Sequence, residues 1–236
     1  ENVFTMCTKS GDNWMYGTAS GPSMAGGWGY FFAEVGYYNE FPAGPRKDAT
    51  FMEDYVCTDG VTRNWKDMTD KHPYYKKMSV DNAFTVGGAT VPICFLRFSQ
   101  TALTYAEAKA RSGGPDALAY ECLNKIRTRA GLSTYSGLSA EAFANACVEE
   151  RKWEFAAEGV RWFDVVRLNL IDKAIASRSA SELPISGTKG TDAYFFPVPN
   201  TDELLNPNIN KSLGGLNALG WAGDGRSAPF LLTLNI

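Results

Sequence analysis

The stretch ERKWEFAAEGVRWFDVVRLN, residues 150–169, sets four acids and four bases among large aromatic rings. Read as one continuous helix at 100° per residue, it places Glu150, Glu154, Glu158, Arg161 and Asp164 within an arc of about 120°. Arg151 and Arg167 flank that arc. The i,i+3 spacing couples Arg151 with Glu154, Glu158 with Arg161 and Asp164 with Arg167, so each coupled acid has an arginine within reach. A glycosidase would need two carboxyl groups on opposite sides of a scissile bond, about 5–9.5 Å apart. Acids on one helical face project the same way, and neighbouring arginines lower the pKa that an acid catalyst needs raised. The reading is a structural ion-pair network of Glu150, Arg151, Glu154, Glu158, Arg161, Asp164 and Arg167, with a solvated face as the alternative. Interleaved Trp153, Phe155, Trp162 and Phe163 favour partial burial, hence the network.

Working outward, the charged stretch continues a helix predicted from Ala140, with Ser139 as N-cap. Gly159 is expected to break or kink it, and a further short helix follows over residues 160–176. Upstream, residues 92–114 show Phe95, Phe98, Ala102 and Tyr105 on one helical stripe and Leu103, Ala106 and Ala110 on the next. Gly113 and Gly114 stop that helix, and a second one over residues 115–130 repeats Ala119, Cys122, Leu123, Ile126 and Ala130 at helical spacing before Gly131. Two amphipathic helices on a short turn form an antiparallel hairpin. Its small residues suit the close packing of tetratricopeptide-type pairs, but a single pair must lean on something else. The fold class is mainly α, with tetratricopeptide-like hairpins, long irregular loops and at most short strands.

Residues 1–91 are rich in glycine, proline and aromatics without a sustained helical period, and residues 177–236 are punctuated by proline and glycine, with one extended piece expected at 193–196. The net charge of −3 and pI near 5.3 leave no basic face for nucleic acid. No apolar run reaches the roughly 18 residues a bilayer requires. Five scattered cysteines form no C-x-x-C pair, and with one histidine, His72, they offer no zinc spacing. Cys94, Cys122 and Cys147 read as small buried groups in helical patterns. Residues 59–70 lack the alternating oxygen ligands of a calcium loop. No GxGxxG, P-loop, HExxH or GxSxG motif occurs, so no cofactor and no metal is expected.

The stretch at 150–169 resembles the ER..E..fEG.R.fDl.R signature of the SusD/RagB family, matching in order at Glu150, Arg151, Glu154, Glu158, Gly159, Arg161, Phe163, Asp164 and Arg167. The helix around Arg97, Tyr105, Ala106, Glu107 and Ala108 is similar to a second family segment, although Gln100 stands where an acid is usual. Leu123, Asn124, Arg127, Arg129, Ala130 and Gly131 fit a third, and Pro197, Pro199, Glu203, Asn206, Pro207 and Asn208 a closing one. Residues 44–51, GPRKDATF, resemble another, with Gly44 in place of an acid.

The resemblance implies the C-terminal portion of a single domain: a loop-rich aromatic region over 1–91, a helical core over 92–176 and an irregular region over 177–236. It also implies a non-enzymatic surface lipoprotein of the bacterial outer membrane, anchored by an N-terminal lipid absent from this chain. Its partners would be a glycan and a SusC-like TonB-dependent transporter. The signature block is implied to be scaffold.

Sugars pack C–H faces on aromatic rings and take hydrogen bonds at their edges, so a glycan site is expected where such rings meet polar side chains. Asn13, Trp14, Tyr16, Trp28, Tyr30, Tyr37 and Tyr38 supply that mixture, and Trp221 is a weaker candidate. The alternative for any one ring is core packing. Peptide binding, a helical-repeat adaptor and, last, a glycoside hydrolase remain open as other functions.

Overall fold

The structure is a computed structural model that describes residues 2–6, 18–78, 93–183 and 205. Asn13, Trp14, Tyr16, Trp221, the extended piece at 193–196 and the closing segment from Pro197 to Asn208 fall outside the described residues, apart from Leu205.

Strand β1 (Asn2–Met6) pairs antiparallel with β6 (Ile93–Arg97), and helix α3 (Phe98–Gly113) begins directly after β6. The expected helix over the start of this segment is therefore a strand, because a short apolar run such as ICFLR carries no periodicity that separates the two. The stripe of Phe95, Phe98 and Tyr105 is exposed accordingly. Ala102, Leu103, Ala106 and Ala110 form the buried face of α3 instead. Helix α4 (Ala117–Arg129) follows, capped by Asp116, whose side chain accepts from the Ala119 N–H at 2.8 Å. Helix α5 (Ala140–Glu154) is capped by Ser139 and packs chiefly on α3. Leu123 and Ile126 of α4 and Phe143, Ala144 and Cys147 of α5 close this helical core. Of the cysteines expected there, Cys147 is buried, with its thiol pushed up to about 12 by desolvation, whereas Cys94 lies in β6 and Cys122 is only half-buried.

A second core sits beside the first. Helices α1 (Val35–Glu40) and α2 (Pro45–Thr50) alternate with short ladders, in which β2 (Phe51–Met52) pairs with β5 (Tyr74–Tyr75) and β3 (Asp54–Val56) with β4 (Thr62–Asn64). Elements this short bury little alone. Aromatic packing supplies what they lack: Tyr38, Phe41, Phe51, Tyr55, Trp65, Tyr74 and Tyr75 form one buried cluster. Phe41 meets Phe51 edge to face at 5.0 Å, the geometry ring quadrupoles prefer. Trp153 of α5 joins this cluster, so the last turn of α5 ties the two cores together.

Past Glu154 the helix stops. Ala157 and Gly159 adopt positive φ (64° and 73°), and the chain turns into α6 (Arg161–Arg167) and then α7 (Ile171–Ala176). The single helix expected over residues 160–176 is thus two, divided where Asn169 also turns left-handed (φ 54°). Close approach of α1 to this region requires Gly36, where a Cβ would lie 2.7 Å from the Ser177 carbonyl oxygen. Among the described residues no helix is long and apolar enough to cross a membrane.

Candidate functional site

The break after Glu154 decides the electrostatics. Two of the three i,i+3 pairs expected for a continuous helix, Arg151 with Glu154 and Glu158 with Arg161, do not form, and Glu150, Glu154 and Glu158 meet cations from other elements. Glu150 is buried between Arg46 of α2 (2.5 Å) and Arg127 of α4 (2.8 Å). Glu154 accepts from Arg97 at 2.7 Å, from Arg129, and from Arg46 at 3.3 Å. Burial pushes its carboxyl up, but Arg97 and Arg129 pull harder and hold it below the ordinary range. Glu158 pairs with Arg97 (2.7 Å) and Lys77 (3.1 Å) rather than Arg161. Arg151 reaches Asp164 at 2.8 Å rather than Glu154.

Asp164 does bind Arg167, as its spacing predicts, and Arg167 also grips both oxygens of Glu107 on α3, at 2.8 and 2.7 Å. Between the guanidiniums of Arg97 and Arg151, Phe155 presents its ring at 4.7 and 5.3 Å. Trp153 and Phe155 are buried with the charges, whereas Phe163 is 69% exposed and Trp162 half-buried. Glu154 and Glu158 do reach the wall of a cleft of about 300 Å³. Arg46, Lys77, Arg97 and Arg129 pair with their oxygens there.

Arg161 is the exception. Its Nε and Nη1 are buried without a hydrogen-bond partner among the described residues. The expected pairing with Glu158 is therefore corrected: the turn at 155–160 swings α6 away, and Glu158 is taken by β6 and Lys77.

The aromatic candidates separate by burial. Tyr38 is a core ring, 7% exposed, with its hydroxyl on Glu53 and its pKa pushed up to about 12 by burial and that carboxylate. It offers no free face, so its assignment to a ligand surface is corrected. Tyr37 stacks on Trp153 at 5.4 Å and donates to the Lys152 carbonyl, which leaves it half-buried at a cavity wall. Trp28 and Tyr30 are 49% and 60% exposed, with ring centroids 5.9 Å apart and planes inclined by 58°.

Backbone hydrogen bonds tie down the loop beneath that pair. Gly29 donates to the Gly21 carbonyl at 2.8 Å, and Tyr30 and Phe31 both donate to the Ala19 carbonyl at 3.0 Å. A Cβ on Gly27 would sit 2.1 Å from the Gly21 oxygen, so this close approach of the loop's backbone to itself is open to glycine alone. Ser20 anchors the turn through the Met78 carbonyl, and Tyr74 donates to Asp70 under Gly29. The two protruding rings thus stand adjacent on a hydrogen-bonded loop; among the described residues no three His, Cys, Asp or Glu gather as a metal site.

The architecture is thus one of helical pairs joined to an aromatic loop region. The sequence model of the SusD family matches residues 28–214, and the chain belongs to that family. Of curated relatives, SusD-like protein P2 of Formosa agariphila is 29% identical over 124 residues, which is 48% of this chain and 24% of the relative. Surface glycan-binding protein A from Bacteroides uniformis superposes with a TM-score of 0.65 at 24% identity, over 89% of this chain and 48% of that one. Surface glycan-binding protein A from Bacteroides thetaiotaomicron, in complex with laminarihexaose, gives 0.56 at 17% identity, over 87% and 50%. The chain thus spans about half the length of these solved relatives.

Proposed function

We propose that this chain is part of a non-enzymatic surface protein that captures an oligosaccharide through the ring pair Trp28 and Tyr30. The observation that carries the reading is that pair: two large rings, about half exposed, held side by side on a loop whose backbone is pinned at Ala19 and Gly21. Burying them in water's absence is favourable, and sugar C–H faces supply the complementary surface. The inclination of 58° suits a ligand that curves from one ring to the next rather than a flat sheet of sugar. Membership in the SusD family and a relative solved with laminarihexaose support the ligand class. In the same reading the captured glycan passes to a SusC-like TonB-dependent transporter in the outer membrane, to which a lipid anchor tethers the whole protein.

Calorimetry against a panel of neutral oligosaccharides tests the reading. Trp28→Ala and Tyr30→Ala are each expected to weaken binding roughly tenfold without changing the melting temperature. Unchanged affinity in both variants refutes the site. Release of reducing ends from the bound glycan refutes the non-enzymatic role.

A further inference from the structure

A cavity of about 320 Å³ opens among α1, α5 and α7, with Tyr37, Leu170 and Ala174 as its less polar wall. Lys152, Arg161, Lys173 and Arg178 line it against Glu34, Glu40 and Glu149, a surplus of one positive charge. Three of these cations are engaged: Lys152 with Glu40 at 2.9 Å, Lys173 with Glu149 at 3.4 Å, and Arg178 with the Leu183 carbonyl at 3.1 Å. Glu34 is spent on the backbone N–H groups of Tyr37 and Ser179, at 2.6 Å each. Arg161 also lines the cavity, and its Nε and Nη1 are buried without an acceptor among the described residues. Desolvation holds its pKa below the ordinary arginine value in spite of Glu149 and Asp164, so the guanidinium is under-compensated where it stands.

We infer that this cavity receives the carboxylate of an acidic sugar, with Arg161 as the group that binds it. A planar guanidinium matches a carboxylate in shape and charge, and a buried donor left unmade is costly enough to favour any anion that reaches it. One surplus charge balances one carboxylate, whereas three acidic neighbours disfavour a doubly charged phosphate. Glu40 and Glu149 have oxygens beyond their lysine contacts to accept sugar hydroxyls, and Leu170 and Ala174 offer a surface for C–H groups. The inference rests on the reading that the ligand is a glycan, but uses none of the residues that carry that reading.

The test is calorimetry on the 236-residue chain with glucuronate, glucose and glutamate as probes. Glucuronate is expected to bind, and Arg161→Gln to lose roughly tenfold or more of that affinity, while its melting temperature stays level or rises. Should Arg161→Gln fold poorly, Arg161→Lys keeps the charge without the planar fork and is expected to weaken glucuronate binding measurably. Equal affinity of the arginine variants and the unaltered chain overturns the inference, as does glutamate binding as tightly as glucuronate. Failure of glucuronate to bind a chain that still holds neutral oligosaccharide overturns the inference and spares the ring-pair reading. If neither class of sugar binds, both fall.

Discussion

Replacing Glu154 by Gln tests whether the charge cluster holds the fold together. The Glu154 side chain is 3% exposed and serves three guanidiniums at once, those of Arg46, Arg97 and Arg129, which arrive from α2, the end of β6 and the end of α4. Glutamine keeps the shape and one acceptor but removes the charge that those arginines share. Loss of one partner from a buried pair costs about 3–5 kcal/mol, most of it the penalty of leaving the other charge uncompensated. For a chain of this size each kcal/mol moves the melting temperature by about 2–4 °C, so the expected drop is roughly 6–20 °C. Calorimetric melting measures it, and urea unfolding should show a lower midpoint with the slope unchanged. Lys173→Gln is the internal comparison: its pair with Glu149 is 72% and 40% exposed, and its removal should cost no more than about 1 kcal/mol. A double-mutant cycle with Arg97→Gln should return a coupling of about 0.5–3 kcal/mol. Glu154→Gln melting with the unaltered chain, or showing no coupling to Arg97, would refute the cluster as a structural clasp.

Four further outcomes are expected. Glu154 and Glu107 are both held below their ordinary value of 4.5, since arginines outweigh the burial that would raise them; their contribution is complete above that pH and is lost as pH falls below it, which urea midpoints on either side of 4.5 would register. Ser139→Ala removes the side chain that accepts from the Ala142 N–H at 3.2 Å and should cost about 1 kcal/mol in denaturant unfolding. Leu103→Ala, at a fully buried site in the helical core, should cost about 2–5 kcal/mol by the same measurement. Gly27→Ala forces a Cβ onto the Gly21 carbonyl and should weaken oligosaccharide binding while both exposed rings remain in the chain; calorimetry with unaltered affinity would show that loop geometry is unimportant.

The helical hairpin was legible because its information is local. Period, the stops at Gly113 and Gly114 and the cap at Ser139 act within a few residues, and apolar spacing alone marks Leu103, Ala106 and Leu123 as inward. Even there, the boundary at Phe98 was hidden, because pairing of β6 with β1 depends on a strand more than eighty residues away. The elements of the aromatic region were not legible, since its short ladders and 3₁₀ turns leave no period to read. For the candidate site, residue type alone put Trp28, Tyr30 and Tyr38 in one set, whereas packing leaves the first two exposed and buries Tyr38 in the core.

Within residues 150–169 the sequence by itself determined which residue types would be brought together: acids and arginines in balance, with rings among them. Only the tertiary structure decided who meets whom. The left-handed turn at Ala157 and Gly159 parts α6 from α5, hands Glu158 to Arg97 and Lys77, and leaves Arg161 facing a cavity. Helical spacing governs neighbours on one helix, whereas ion pairs between elements follow from where packing of the two cores places each backbone, and no stretch of twenty residues contains that information.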